Sequence, residues 1–303
     1  MARKKPFIVL AVLAVLAVLY VFNMAYFSIK PDFFSVEKKA EAQQGLLFST
    51  TLQQLLEHEL DGSGGWIPND TIISPTWALD NRPNFQLGVL EVVRYSSRVL
   101  RDNLSRQRST DKIDPDCDGA FTSFSNDPRK WIMPSAEGKY KQGIRSISEY
   151  ARRLEYGTSS FYPRSDNLIQ LLEQYASLLG GVNTRLLNAS RAQTSFSADD
   201  NSPAKVAWTE IDDNFYYAQG VGYALYHMFQ ALQIEFEAVL RDKNAALIVS
   251  EIIISLREGY FEPVLVTNGS KNGVFANHSS NLRVFLDDAR QKTNSLIRML
   301  DQG

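Results

Sequence analysis

Three groups of side chains in this sequence have types and spacings that chemistry uses. Glu210, Asp212 and Asp213 cluster beside Trp208, Tyr216 and Tyr217. Carboxylates paired next to aromatics suit acid–base work on a sugar polymer, and Asp80 is a further candidate for the same role. Acidic residues in the first turns of a helix also stabilise its positive end, and that reading needs no extra assumption.

The second group is Asp114-Pro115-Asp116-Cys117-Asp118-Gly119. Carboxylates at alternate positions followed by a glycine match the start of a calcium loop. Ser125 stands where the bidentate Glu should complete the shell, so Asp114, Asp116 and Asp118 make at best an incomplete metal site. An acidic, solvated turn between two helices is the preferred alternative.

His58, His227 and His278 form the third group, and they are the only histidines. None has metal-binding or triad spacing with the others. His227, among Tyr223, Tyr226 and Phe229, reads as a core or boundary residue. His278 stays a catalytic candidate with Asp80 and Glu210, because one pocket gathering all three would favour an enzyme. There is no GxSxG, HExxH or phosphate-binding glycine loop, and no cofactor is implied. Gly220 and Gly222, inside a helical pattern, read as sites of close helix contact.

A binding surface is expected on the stretch rich in Gly, Pro, Asn and Asp at 61–84. It carries Trp66, Asp70, Trp77, Asp80, Asn81 and Asn84. The alternative is that its two tryptophans plug the end of a helical core.

The elements that must position these groups begin with an anchor. Arg3, Lys4 and Lys5 precede an apolar run reaching from Phe7 to Ile29. As a helix that run spans roughly 34 Å, enough for the hydrocarbon core. A cleaved signal would want a shorter run with a small-x-small site close behind, and the first such site is Ala40-Glu41-Ala42. The basic residues place the N-terminus in the cytoplasm and the remainder outside it.

Among 303 residues, 44% are hydrophobic and 22% charged, an ordinary globular composition. Setting aside Arg3, Lys4 and Lys5, 29 of the 32 basic residues remain against 34 acidic ones, a net charge of −5. A mildly acidic ectodomain argues against nucleic acid as a partner. Cys117 is the only cysteine, which excludes an intrachain disulfide and points to a bacterial periplasm.

Beyond the anchor, apolar residues recur at alternating steps of four and three, the pattern of packed antiparallel helices. The segments are Tyr140 to Leu154, Leu168 to Ala189, Ile211 to Val239 and Leu282 to Leu300, joined by Phe85 to Leu104 and Ala245 to Leu256. Thr50 and Thr51 can cap a short helix ending near Leu60. No sustained period-two alternation predicts a sheet. The fold class is therefore all-α: an N-terminal transmembrane anchor and an antiparallel helical-bundle ectodomain, elongated or in two packed bundles. The expected organisation is a cytoplasmic tail at 1–6, the signal-anchor helix at 7–29 and a stalk at 30–48. A first helical half at 49–194, a linker at 195–203 and a second half at 204–303 complete it.

Longer stretches carry a family resemblance. Gly64-Gly65-Trp66-Ile67-Pro68-Asn69-Asp70 and Leu79-Asp80-Asn81-Arg82-Pro83-Asn84-Phe85-Gln86-Leu87-Gly88 are two of them. Others are Trp131-Ile132-Met133-Pro134-Ser135, Phe161-Tyr162-Pro163-Arg164-Ser165-Asp166, Trp208-Thr209-Glu210-Ile211-Asp212-Asp213 and Ala276-Asn277-His278-Ser279. Together they resemble the bacterial domain-of-unknown-function family 2333 over nearly all of the chain beyond the anchor. The resemblance implies a single-span envelope protein of Gram-negative bacteria with no established activity, and it supplies no catalytic residues. In that family Asp114-Pro115-Asp116 recurs while Asp118-Gly119 does not, which weakens the calcium reading.

Two functions remain. The first is a membrane-anchored periplasmic protein, all-α and non-catalytic, that binds or scaffolds an envelope protein or cell-wall component. The second is a periplasmic hydrolase acting on a glycan or peptide through paired carboxylates. The expected location is the inner membrane, single-pass, with the lipid bilayer itself a partner through the first helix.

Overall fold

The structure, a computed structural model, describes residues 4–37, 43–72, 74–108, 110–191, 210–269 and 274–302. The proposed linker at 195–203, and Trp208 beside the acidic cluster, lie outside the described residues.

The first helix, α1 (Lys4–Phe27), contains a stretch, Val9–Phe27, long and apolar enough to cross a membrane, with none of it buried in the body. Among the described residues nine α-helices follow: α2 (Leu46–Asp61), α3 (Asn81–Val99), α4 (Pro115–Phe124), α5 (Ala136–Glu155), α6 (Ser165–Arg191), α7 (Ile211–Glu235), α8 (Glu237–Asp242), α9 (Ala246–Glu258) and α10 (His278–Asp301). Among the described residues there is no sheet; one isolated antiparallel bridge joins Asn268 to Asn277. The architecture is all-α, as the four-three period predicts.

The period also fixes which faces pack. Its apolar positions, such as Tyr140, Ile147 and Leu154 in α5 and Leu282, Leu286 and Leu296 in α10, are buried. Helix α7 is the exception: Phe215, Tyr223, Leu225, Met228 and Phe229 are buried on several faces, so it runs through the centre. One contiguous core takes Phe48, Phe85 and Tyr175 from before the 195–203 stretch and Phe229, Ile252 and Leu286 from after it.

Helices α3 and α7 meet backbone to backbone. A methyl group on Gly88 would collide with the Tyr217 carbonyl oxygen, and one on Gly220 with that of Phe85. Both glycines are there because backbone meets backbone. Of the two glycines singled out in the sequence, Gly220 carries this contact, whereas Gly222 faces only the Leu286 side chain.

Two local expectations are corrected. Thr50 and Thr51 do not cap α2, which starts after Gly45. Its cap is the Glu235 carboxylate of α7, which accepts from the N–H groups of Gly45, Leu47 and Phe48 at 2.9, 2.8 and 3.3 Å. The stretch around Asp114 is not a turn but the start of α4. Asp114 is the N-cap, accepting from the N–H groups of Asp116 and Cys117, and Pro115 takes the first helical position.

Candidate functional site

The crossing of α3 and α7 brings their N-terminal ends side by side, and carboxylates from both meet there. Asp80 caps α3 by accepting from the Asn81 N–H, and Asn84 one turn on donates to the Asp213 carboxylate at 2.7 Å. Asp212 and Asp213 occupy the first turn of α7, directly after Glu210. Burial is the largest influence on Asp213, and the charges of Asp212, Asp80 and Glu210 add to it, pushing its pKa up to about 6. The Arg129 guanidinium opposes them. Asp212 is raised as well, by burial first and then by Asp80.

This rim is the most chemically unusual grouping that the sequence candidates form. A carboxyl titrating near pH 6 beside ionised neighbours can hold a proton, or it can receive a cationic group in place of one. His278 has a different setting. Its Nδ1 lies 3.0 Å from the Thr267 backbone nitrogen, its ring edges against Phe215, and it begins α10.

The loop at 61–84 divides into an inner and an outer part. Trp66 is buried, donates from Nε1 to the Pro128 carbonyl at 2.8 Å and meets the Tyr140 ring edge-on. It is therefore a plug for the core and not part of a binding surface. Asn69 also points inward, to the Lys130 carbonyl and Glu137. Gln86 pins the stretch from below, donating to the Glu59 and Gly65 carbonyls and accepting from the Ile67 N–H. Asp70 accepts from Thr76. Trp77 and Asp80 face solvent, with Asn81 and Asn84 half-buried beside them.

The incomplete calcium loop has a different occupant. Arg153 Nη2 lies 2.5 Å from Asp114 and 2.7 Å from Asp116, and Ser159 donates to Asp114. Asp118 faces Arg101 at 3.6 Å. Arg153 supplies the positive charge that a metal would bring. Among the described residues no group of three or more His, Cys, Asp or Glu side chains is arranged to hold an ion.

The strongest feature lies where no site was expected, in the stretch read as a stalk. Lys30, directly after the apolar run, has a side chain only 5% exposed. Its ammonium sits 2.6 Å from Gln219 Oε1, 2.5 Å from the Glu262 carboxylate and 4.5 Å from the centroid of Tyr260. Burial lowers its pKa, opposed by Glu262. Tyr260 and Tyr223 donate to the carbonyls of Pro31 and Asp32 at 2.7 and 3.0 Å. Phe33 then packs among Tyr223, Tyr226 and Tyr260, and Phe34 stacks on His227. The only sequence signal was a pair of adjacent aromatics in otherwise polar surroundings. Below the same region lies a fully buried ion pair, Arg82 to Glu59 at 2.7 Å.

No curated protein matches the chain. No solved structure matches it either. A family model does, over residues 2–303, in keeping with the motifs at 64–70, 79–88 and 208–213. The chain belongs to the family described as "uncharacterized protein conserved in bacteria" (DUF2333).

Proposed function

We propose that this is a membrane-anchored, non-catalytic protein of the bacterial cell envelope, with its all-α body on the periplasmic side of the inner membrane. Its role is to hold that body in fixed geometry at the membrane and to bind an envelope protein or cell-wall component there. The observation that carries this reading is the joint between anchor and body. A tether needs only a flexible linker, whereas here Lys30 through Phe34 are bonded and stacked into the core. The partner-facing surface is the carboxylate rim of Asp80, Glu210, Asp212 and Asp213 with exposed Trp77, which suits a basic or amine-bearing partner.

The test is photo-crosslinking in cells from a reactive residue placed at Trp77. Adducts of defined mass that disappear when Asp80 and Glu210 are both changed to Lys support the proposal. Adducts indifferent to that reversal, or none at all, contradict it.

One observation favours a second reading. Asp213, titrating near pH 6 beside Asp212, has the pKa of a general acid for hydrolysis of a glycan or peptide. Cell-wall material incubated with the purified protein decides it, because equal product from wild type, Asp213→Asn and Glu210→Gln removes both carboxyls from any such mechanism.

A further inference from the structure

The central helix α7 serves as a ruler for which end of the body faces the anchor. The chain leaving α1 meets α7 at Gln219 through Lys30, passes Tyr223 at Asp32 and His227 at Phe34, and reaches Glu235 at Gly45 and Leu47. These contacts progress along α7 from Gln219, in its third turn, to Glu235, its last residue, about 24 Å at 1.5 Å per residue. The N-terminal end of α7 is the anchor's end.

Three loops hang from that same end. The stretch before α3 is tied there by Asn84 to Asp213. Residues 128–134 are tied to it by Trp66 to the Pro128 carbonyl and Asn69 to the Lys130 carbonyl. Residues 261–269 and 274–277 are tied by Phe261 and His278, which both pack on Phe215 in the second turn of α7. These loops carry large apolar side chains that face solvent for half of their surface or more: Trp77, Trp131, Met133, Val264, Val274 and Phe275. Val264 lies two residues from Glu262, whose carboxylate holds Lys30, so it stands within roughly 7 Å of chain reach from the anchor's exit. At the opposite end, Tyr156 and Leu247 are exposed at the C-cap of α5 and on the first turn of α9, with Ile113 and Ile254 as the other exposed apolar side chains nearest them in the chain or through Asp114.

Apolar side chains gathered around the exit of an apolar helix, with tryptophans among them, have the chemistry of a membrane–water interface. We propose that this end of the body docks on the bilayer, with Trp131, Met133, Val264, Val274 and Phe275 set into the headgroup region around α1. The inference rests on the reading of α1 as a membrane anchor. Arg129 and Lys130 directly precede Trp131, so the docking would bring them to lipid phosphates, and Arg129 is also close enough to the carboxylate rim to act on Asp213. A partner of the rim is then met at the membrane surface.

The experiment uses the full chain in vesicles of phosphatidylethanolamine and phosphatidylglycerol. Single cysteines replace Met133, Val264, Phe275, Leu16, Tyr156 and Leu247 in turn and carry a nitroxide; the buried Cys117 is left in place. Collision with oxygen, which concentrates in lipid, is compared with collision with a water-soluble nickel chelate. The expected result is a several-fold higher oxygen-to-nickel ratio at Met133→Cys, Val264→Cys and Phe275→Cys than at Tyr156→Cys and Leu247→Cys. A lipid-like ratio at Leu16→Cys with water-like ratios at all three loop positions overturns the docking and leaves the anchor standing. A water-like ratio at Leu16→Cys overturns the anchor reading and the docking with it.

Discussion

Phe34 lies flat on His227, ring centroids 3.7 Å apart and planes within 2°. One residue belongs to the chain leaving the anchor and the other to the central helix of the body, so the joint between them is a piece of the core. His227 is fully buried, with neither ring nitrogen hydrogen-bonded to protein. Phe33, Tyr223 and Tyr226 surround it edge-on.

That setting has a pH signature. Burial, aided by the His58 charge, depresses the His227 pKa to about 3. A histidine whose folded pKa lies below its unfolded value near 6.5 contributes stability that is complete above pH 6.5 and is lost as pH falls toward 3. The acid-induced loss is expected to be on the order of a few kcal/mol. Denaturant melts of wild type and His227→Phe at pH 7.5 and pH 4.5 check it. The variant is expected to lose less stability between the two; an equal loss in both proteins refutes the assignment.

Asp213 responds with the opposite slope. Its folded pKa, about 6, lies above the ordinary aspartate value of 3.8. Protonation therefore favours the folded state, and the full penalty is present only above pH 6. Because the carboxyl is half-exposed, solvent screening holds that penalty to about 1 kcal/mol. Asp213→Asn keeps an oxygen for Asn84 and is expected to be stabilising at pH 7.5 and neutral at pH 3.5. A variant less stable than wild type at pH 7.5 would mean that the ionised carboxylate is a favourable partner.

The buried pair Glu59–Arg82 behaves differently from both. Burial raises the Glu59 pKa against the pull of Arg82, so removing the guanidinium strands a carboxylate in the core. Arg82→Met is expected to cost about 3–5 kcal/mol, and Glu59→Met with Arg82→Met far less, because two apolar side chains of similar volume leave no orphan charge. A double variant as unstable as the single one contradicts this account of the site.

The helix crossing that builds the rim is tested by Gly220→Ala. Helix propensity alone makes alanine better by about 1 kcal/mol. The added methyl meets the Phe85 carbonyl, which is backbone and yields only if α3 moves. A net loss of about 1–3 kcal/mol is expected, with the Asp213 titration shifted toward an ordinary carboxylate as the two helix ends separate. A stabilised variant with an unchanged titration rules out the close crossing.

The sequence made some of this legible and hid the rest for physical reasons. The four-three period of α5, α6, α7 and α10 reports burial, and burial is local to each helix, so those elements and the apolar α1 were readable. Asp114-Pro115 carried the marks of a helix start, an N-cap followed by proline, but the alternating carboxylates read equally as a metal loop; Arg153, far along the chain, decides between them. Glu235 capping α2 and Asn84 reaching Asp213 are contacts between residues more than a hundred positions apart, invisible to any local pattern. The Lys30 to Phe34 joint has no periodicity because it is extended chain. Trp66 and Trp77 share a loop and a residue type, and only packing separates the buried one from the exposed one.

The central claim is that anchor and body form one rigid piece through the Lys30 to Phe34 joint. Nitroxides at Leu19→Cys in α1 and Glu237→Cys at the start of α8 measure it directly, through the distance distribution between them in the full chain in vesicles. One narrow distribution is predicted, broadening when Phe33 and Phe34 are both changed to Ala. A broad distribution in the otherwise unaltered chain, indifferent to those two changes, would contradict it.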